Sequence, residues 1–107
     1  MSITLTEVRA VRIVCDDYLK ARLLEHLTQM GATGYTWWSA HGQGEHPTET
    51  GLLKEQRRVY IEVWCNLEVA EKILTYCLGN EFRSVGMAVG VTSLFVSEDD
   101  AAKFSNQ

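Results

Sequence analysis

The side chains of this chain that could do chemistry gather around one polar stretch, residues 42–57, which reads GQGEHPTETGLLKEQR. It opens with Gly42 and Gly44, and such a pair lets the backbone approach a ligand closely and lets amide N–H groups line an anion site. The cations at its end are Lys54, Arg57 and the adjoining Arg58. Guanidinium groups match phosphate and carboxylate oxygens well. The stretch therefore indicates either an anion site at the base of a loop or a flexible connection.

Histidines and carboxylates in the same region offer a metal site as an alternative. His41 and His46 could coordinate a cation together, and Glu45 or Glu49 could add a carboxylate. Their spacing falls on a loop and lacks cysteine partners, unlike the usual zinc patterns. Metal binding is therefore the weaker of the two interpretations.

Composition and net charge limit the classes of partner and the cellular compartment that we expect for this protein. The net charge of −4 argues against nucleic acid, because phosphate backbones need a basic surface. No apolar stretch approaches the roughly 20 residues that span a bilayer, which excludes direct membrane insertion. The three scattered cysteines, Cys15, Cys65 and Cys77, are typical of reduced core thiols. We expect a single domain over residues 1–107 and a cytoplasmic location.

Hydrophobic periodicity predicts the order β-α-β-β-α-β. Strands are predicted over residues 7–15, 34–41, 58–65 and 87–96. This order is that of the ferredoxin-like α+β sandwich, in which a four-stranded sheet carries both helices on one face.

Capping residues mark the helices between these strands. The first helix is predicted to begin after Asp16 or Asp17 and to end at Gly31. Asn66 should cap the second helix, and a short third helix should start at Ser97. The rest of the tail is expected to be frayed.

The tryptophan pair Trp37 and Trp38 indicates a sheet that is covered on both faces. Successive strand side chains point to opposite faces, so the two rings cannot both face the helices. Tyr60 and Trp64 repeat this pattern on the third strand. Two helices can cover only one face, and soluble monomers avoid a large exposed aromatic patch. The sequence therefore predicts a homo-oligomer.

Four motifs carry a family resemblance over nearly the whole chain. They are GATGYT at residues 31–36, the following Gly-x-Gly, IEVWCNLEVAEKI at residues 61–73 and VGMAVGV at residues 85–91. With these motifs the chain resembles the PII-like signalling proteins, most closely the bicarbonate-linked groups associated with carboxysomes and with a sodium-dependent bicarbonate transporter. The resemblance implies a homotrimer that binds adenine nucleotides between subunits. It also implies that residues 42–57 are the T-loop and residues 83–88 the B-loop.

Carried over residue by residue, the resemblance implies a set of ligand positions. The second strand and the T-loop base would contribute Gly34, Thr36, His41, Gly42 and Gly44. The adenine pocket would be edged by Glu62, Val63 and Trp64. The B-loop would close over the phosphates with Gly86, Met87 and Ala88. The cations near them would be Arg57 and Arg58.

Departures from the family pattern limit which ligands are expected to bind. The B-loop around Gly86 lacks the lysine of the standard Gly-Asp-Gly-Lys, which favours ADP or AMP over ATP. His46 stands where a glutamine helps to bind 2-oxoglutarate, and no tyrosine lies between Glu45 and Arg58 for uridylylation. The loop start GQGEH and a tail without paired cysteines favour the carboxysome-associated branch, in which bicarbonate and nucleotide bind together.

The leading functional hypothesis is therefore a non-enzymatic sensor of ADP or AMP, with bicarbonate as co-ligand. It would regulate inorganic-carbon uptake or metabolism through its T-loop and a protein target such as a bicarbonate transporter. A copper-tolerance-type trimer, which shares the fold and would use His41 and His46, is the second hypothesis. A small ferredoxin-like enzyme acting on an organic acid is the third, although no acid–base pair in the sequence supports it.

Overall fold

Seven helices and strands make up the described part of the chain, residues 2–42 and 56–104, in this computed structural model. They are β1 (Leu5–Asp16), α1 (Lys20–Gln29), β2 (Thr36–Gly42), β3 (Gln56–Cys65), α2 (Leu67–Cys77), β4 (Met87–Ser97) and α3 (Glu98–Ala102). Short 3-10 turns precede α1 at Asp17–Leu19 and β4 at Asn80–Phe82. The predicted order is confirmed, although β2 begins two residues later than predicted.

The four strands form one antiparallel sheet in the order β2-β3-β1-β4. The central strand β1 pairs with both neighbours, so that Ile13 lies opposite Ile61 on one side and Val89 on the other. Trp38 of β2 lies opposite Tyr60 of β3. The strand order is that of the ferredoxin-like fold, and it leaves β2 and β4 as the two edges of the sheet.

The core lies between the sheet and the helices α1 and α2, on the face that we call the helix side. The strands contribute Val11, Ile13, Cys15, Val59, Ile61, Val63 and Cys65. The helices contribute Leu23, Leu27, Val69, Ala70, Ile73 and Cys77. None of these side chains is more than 4% exposed. Each large apolar side chain buried in this way stabilises the fold by about 1.5–3 kcal/mol.

Predicted capping residues fix the ends of the two long helices. Gly31 follows α1 with a φ of 106°, the left-handed region that favours glycine. The N–H groups of Gly31 and Ala32 donate to the carbonyls of Thr28 and Leu27, at 3.2 and 3.0 Å. The Asn66 side chain accepts a main-chain hydrogen bond at the start of α2. Within the described ranges, no helix has the length and apolar character needed to cross a membrane.

The two adjacent tryptophans lie on opposite faces of β2, as predicted. Trp37 is opposite Ile61 on the helix side, where the Nζ atom of Lys20 lies 3.7 Å from its ring centroid. Trp38 stacks on Tyr60 on the other face, with ring centroids 4.4 Å apart. We call this second face the open face, because α1 and α2 do not cover it.

The C-terminal segment covers part of the open face. Ser97 caps α3 as predicted, but the chain beyond it is packed rather than frayed as far as Phe104. The Phe104 ring meets Trp64 edge to face, with centroids 6.0 Å apart. Val8 and Ala10 are buried on this face, away from the helix-side core, where α3 packs against β1 and β4. The expectation of a frayed tail is corrected because these apolar groups give the segment a surface to bury.

The three cysteines are free and buried, as the sequence predicts. Burial raises the pKa of Cys15 and Cys65 to about 11, and that of Cys77 to about 12. A thiol that is harder to ionise in the folded state than in the unfolded state makes stability depend on pH. The stability that the buried, protonated thiols contribute is fully present below about pH 8.5, the unperturbed pKa of cysteine. It is lost as the pH rises through the pKa values of the thiols in the folded protein.

We therefore expect alkaline destabilisation between pH 8.5 and 10.5 in which each thiol contributes up to about 1.4 kcal/mol per pH unit. Replacing Cys77 by alanine should make this slope shallower, whatever its effect on stability at pH 7.5. Urea unfolding followed by far-UV circular dichroism, in the presence of a reductant, measures both slopes. Lysines and tyrosines titrate equally in the two proteins, so identical slopes would contradict the prediction.

Candidate ligand-binding site

A pocket of 330 Å³ opens on the open face beside β2, and we call it the aromatic pocket. Its lining residues are Gly34, Tyr35, Thr36, Trp38, Glu62, Trp64 and Phe104. Gly34, Thr36, Glu62 and Trp64 belong to the set predicted from the sequence. They converge because Thr36 pairs with Glu62 across β2 and β3, which places both on the same face.

The carboxylate of Glu62 is fixed by two hydrogen bonds. Its Oε1 atom accepts from Nε of Arg12 at 3.0 Å, and its Oε2 atom accepts from Nε1 of Trp64 at 2.8 Å. The Glu62 side chain is 22% exposed. Each carboxylate oxygen has two lone pairs, so the group can still accept from a ligand hydroxyl or amine. The pocket thus presents a positioned acceptor beside aromatic walls.

Aromatic rings form the walls of this pocket. Trp64 is held by the edge of Phe104, and Trp38 is held flat against Tyr60. Aromatic pairs of this kind prefer defined geometries and contribute about 0.5–1.5 kcal/mol beyond their buried area. The pocket is therefore shaped for a flat, partly apolar ligand.

A second pocket of 240 Å³ lies at the other end of β2, and we call it the cationic pocket. It is lined by Asp17, Lys20, Ser39, Ala40, His41, Arg57 and Arg58. His41 lies directly opposite Arg57 in the last part of the β2–β3 ladder. Three of the predicted site residues, His41, Arg57 and Arg58, are therefore brought together here, at the base of the predicted T-loop.

An ion pair joins β3 to the end of β1 next to this pocket. Nη1 of Arg58 lies 3.3 Å from Oδ1 of Asp16, with the two side chains only 12% and 21% exposed. A Cβ atom on Gly86 would lie 2.9 Å from the same Nη1 atom. Glycine therefore lets the backbone of the predicted B-loop approach the guanidinium group. Asp16 was predicted as a possible helix cap, but it makes no capping hydrogen bond and contacts Arg58 instead.

The remaining predicted site residues are not among the described residues that line the two pockets. Val63 is fully buried on the helix side, so a ligand could reach only its main chain. Met87 packs against the same core, whereas Ala88 is exposed on the open face. Gly42 ends β2, and Gly44 lies outside the described residues.

Several lining residues were not found from the sequence. Trp38 could have been found, because it lies two residues after Thr36 and must share its face. No sequence pattern indicated that Phe104 would line the pocket, because its position depends on how α3 packs against β1 and β4. The same holds for Lys20, which reaches the pocket only because α1 begins beside β2.

The metal hypothesis gains no support from the described ranges, 2–42 and 56–104, in which no three His, Cys, Asp or Glu side chains are grouped to hold an ion. His41 lies in the cationic pocket. Its proposed partners Glu45, His46 and Glu49 lie outside the described residues. Copper binding therefore stays a prediction.

Comparison with known protein families assigns the chain to a family. The profile described as nitrogen regulatory protein P-II matches residues 8–100. The chain belongs to the PII family. A comparison with curated proteins gave no match.

Solved structures of PII-like proteins share the fold. A PII-like signalling protein of Thermus thermophilus is 26% identical, with 92% of this chain and 97% of that chain covered and a TM-score of 0.73. CPII of Thiomonas intermedia, bound to ADP and bicarbonate, is 22% identical over 96% and 99% of the two chains, with a TM-score of 0.79. The GlnK–ATP complex of B. subtilis is 18% identical over 80% and 82%, with a TM-score of 0.53.

The Glu62 network can be tested by replacing Glu62 with glutamine. The substitution removes the charge from both hydrogen bonds and turns an amide NH₂ towards one donor, so we expect a loss of about 1–3 kcal/mol in the free energy of unfolding. Glu68→Gln is the matched control, because the Glu68–Lys72 pair on α2 spans 3.8 Å and is mostly exposed. The control should lose no more than about 0.5 kcal/mol. Equal losses in urea unfolding would show that the network adds nothing.

Proposed function

We propose that this PII-family protein is a non-enzymatic sensor that binds ADP or AMP, together with bicarbonate, and reports to a protein target through its T-loop. The process that it regulates would be inorganic-carbon uptake or metabolism, with a bicarbonate transporter as one candidate target. The proposal draws on CPII, whose structures contain ADP with bicarbonate and ADP with AMP and bicarbonate. The observation that carries it is the convergence of predicted ligand positions in two pockets along β2.

The aromatic pocket suits the adenosine end of the nucleotide. A flat base can stack or pack edge-on against Trp64 and Phe104, and Glu62 can accept from an amine or a ribose hydroxyl. The pocket is open at the sheet edge, as a site completed by a neighbouring subunit would be.

The phosphate end would lie towards Arg58 and Gly86. Thr36 and Ala40 are four strand residues apart, a span of about 13 Å. This span is comparable to the length of a nucleoside diphosphate. Arg58 lies opposite Ala40 in the ladder and close to the Gly86 backbone, so cationic and main-chain groups meet where phosphates would reach.

Charge at this end supports ADP or AMP rather than ATP. The B-loop offers no lysine around Gly86. The Asp16 carboxylate, 3.3 Å from Arg58, offsets part of the only well-buried guanidinium charge found at this end among the described residues. A third phosphate would add negative charge that the partly neutralised Arg58 offsets less well.

A homotrimer is part of the proposal. The stacked pair Trp38 and Tyr60 remains on the open face, with Trp38 45% exposed. Neighbouring subunits would cover this surface and complete the nucleotide cleft. A cytoplasmic location agrees with three free cysteines that stay reduced.

Calorimetry with ADP tests the proposed function. We expect ADP and AMP to bind with saturation, and bicarbonate to tighten ADP binding several-fold at fixed pH and ionic strength. Sodium chloride at the same ionic strength is the control for a general salt effect. Absence of binding by ADP, AMP and ATP would contradict the proposal.

A pair of variants separates the two ends of the site. Arg58→Ala should weaken ADP binding about tenfold or more while leaving adenosine binding unchanged, because charge-assisted hydrogen bonds contribute about 1.5–3 kcal/mol. Phe104→Ala should weaken ADP and adenosine equally, because it removes a wall of the aromatic pocket. Arg22→Ala is the control, since Arg22 forms an exposed ion pair with Glu81 on the helix side. An Arg58 variant that loses ADP and adenosine equally would remove that residue from the phosphate end.

A further inference from the structure

We propose that Arg12 is a positioning residue of the aromatic pocket. It holds the Glu62 carboxylate so that the pocket accepts a hydrogen bond from an N–H or O–H group of the ligand and disfavours a ligand that presents an acceptor there. The inference rests on the proposed function, because the donor belongs to the bound nucleotide. It goes beyond that function because Arg12 lies on β1 and does not itself line the pocket.

The register of the sheet directs Arg12 towards Glu62. The two residues lie opposite each other on β1 and β3, both on the open face. The Nε atom of Arg12 lies 3.0 Å from Oε1 of Glu62. On the other side of β1, Arg12 lies opposite Gly90 of β4, where a Cβ atom would have no heavy atom within 4 Å. The Arg12 side chain therefore leans away from β4 and over β3.

Charged side chains are few on the open face of the sheet. Among the described strand residues of this face they form two pairs, Arg12 with Glu62 and Arg58 with Asp16. Asp16 lies four residues from Arg12 along β1, a span of about 13 Å. Of the two strand carboxylates on this face, Glu62 is thus the one within reach of Arg12.

Both oxygens of the Glu62 carboxylate accept from the protein. Nε1 of Trp64 donates to Oε2 at 2.8 Å, as Arg12 donates to Oε1. Because both partners are donors, each oxygen acts as an acceptor, and its remaining lone pair can take only a further donor. A ligand that placed a carbonyl or a ring-nitrogen acceptor at this position would leave two acceptors facing each other, which a binding site disfavours strongly.

Arg12 also fixes the direction in which the carboxylate presents that lone pair. Without it, Glu62 would be tied at one oxygen only, to Trp64 two residues away on the same strand. The carboxylate could then turn about this single bond. The Trp64 ring, which meets Phe104 edge to face as a wall of the pocket, is held by the same carboxylate. Loss of Arg12 therefore changes which ligands the pocket distinguishes.

Isothermal titration calorimetry with ADP and three analogues tests this role. The analogues are purine riboside 5′-diphosphate, which lacks the amine, and the 2′-deoxy and 3′-deoxy forms of ADP, which each lack one ribose hydroxyl. In the wild type, the analogue without the donor to Glu62 should bind about tenfold more weakly than ADP, the effect of losing one charge-assisted hydrogen bond. In Arg12→Met this ratio should fall towards one, because ADP loses the contact and the analogue has none to lose.

The analogue that binds weakly identifies the donor. Weak binding of the purine riboside form assigns the donor to the amine, and weak binding of a deoxy form assigns it to that ribose hydroxyl. Arg9→Met is the matched control, because Arg9 lies on the same strand and pairs with Glu7 at 3.2 Å, but on the helix side. It should keep the wild-type ratio. Each ratio compares two ligands on one protein, so changes in stability or in total charge cancel.

A double-mutant cycle shows whether Arg12 acts through Glu62. Once Glu62 is replaced by alanine, Arg12→Met should have little further effect on ADP affinity. Additive losses in the cycle, an unchanged ratio in Arg12→Met, or equal wild-type affinity for ADP and all three analogues would overturn the inference while leaving the proposed function intact. A wild-type protein that binds neither ADP nor the analogues would refute the proposed function, and this inference with it.

Discussion

The two-residue period of β2 is the constraint on which both pockets depend. Because Trp37 packs on the helix side, Thr36 and Trp38 must face the open side, and Ser39 must return to the helix side. Pairing with β3 fixes this register, since Trp37 lies opposite the fully buried Ile61. A slip by one residue would turn Trp38 towards the core and exchange the residues of the two pockets. The stability of the core thus secures the arrangement of the site.

The Arg58–Asp16 ion pair imposes a second constraint, on charge. A partly buried pair contributes little net stability, but removing one partner leaves an uncompensated charge. The pair therefore keeps Arg58 against the backbone of Gly86, which lies in the predicted B-loop. It also limits how much negative charge the site can hold.

Local rules predicted most of the fold. Strand alternation, the Asn66 cap and the left-handed Gly31 each depend on neighbours within a few residues, and each is found as predicted. Much of the aromatic pocket was also predicted, but through family resemblance rather than spacing. The docking of Phe104 and the position of Lys20 could not be predicted, because each depends on contacts between elements distant in sequence. Asp16, one of the two predicted caps, does occupy the N-cap position of the 3-10 turn before α1, but its carboxylate contacts the distant Arg58 and makes no capping hydrogen bond.

Arg58 is the side chain through which the two pockets could communicate. It lines the cationic pocket, and its guanidinium group also lies beside Gly86, where the phosphates would be bound. Gly42, the last residue of β2, pairs with Gln56, the first residue of β3, two ladder positions from Arg58 and at the base of the predicted T-loop. One guanidinium group can contribute only about 1.5–3 kcal/mol. This contribution sets an upper limit on coupling between nucleotide and anion through Arg58, and a several-fold effect of bicarbonate on ADP affinity lies within that limit.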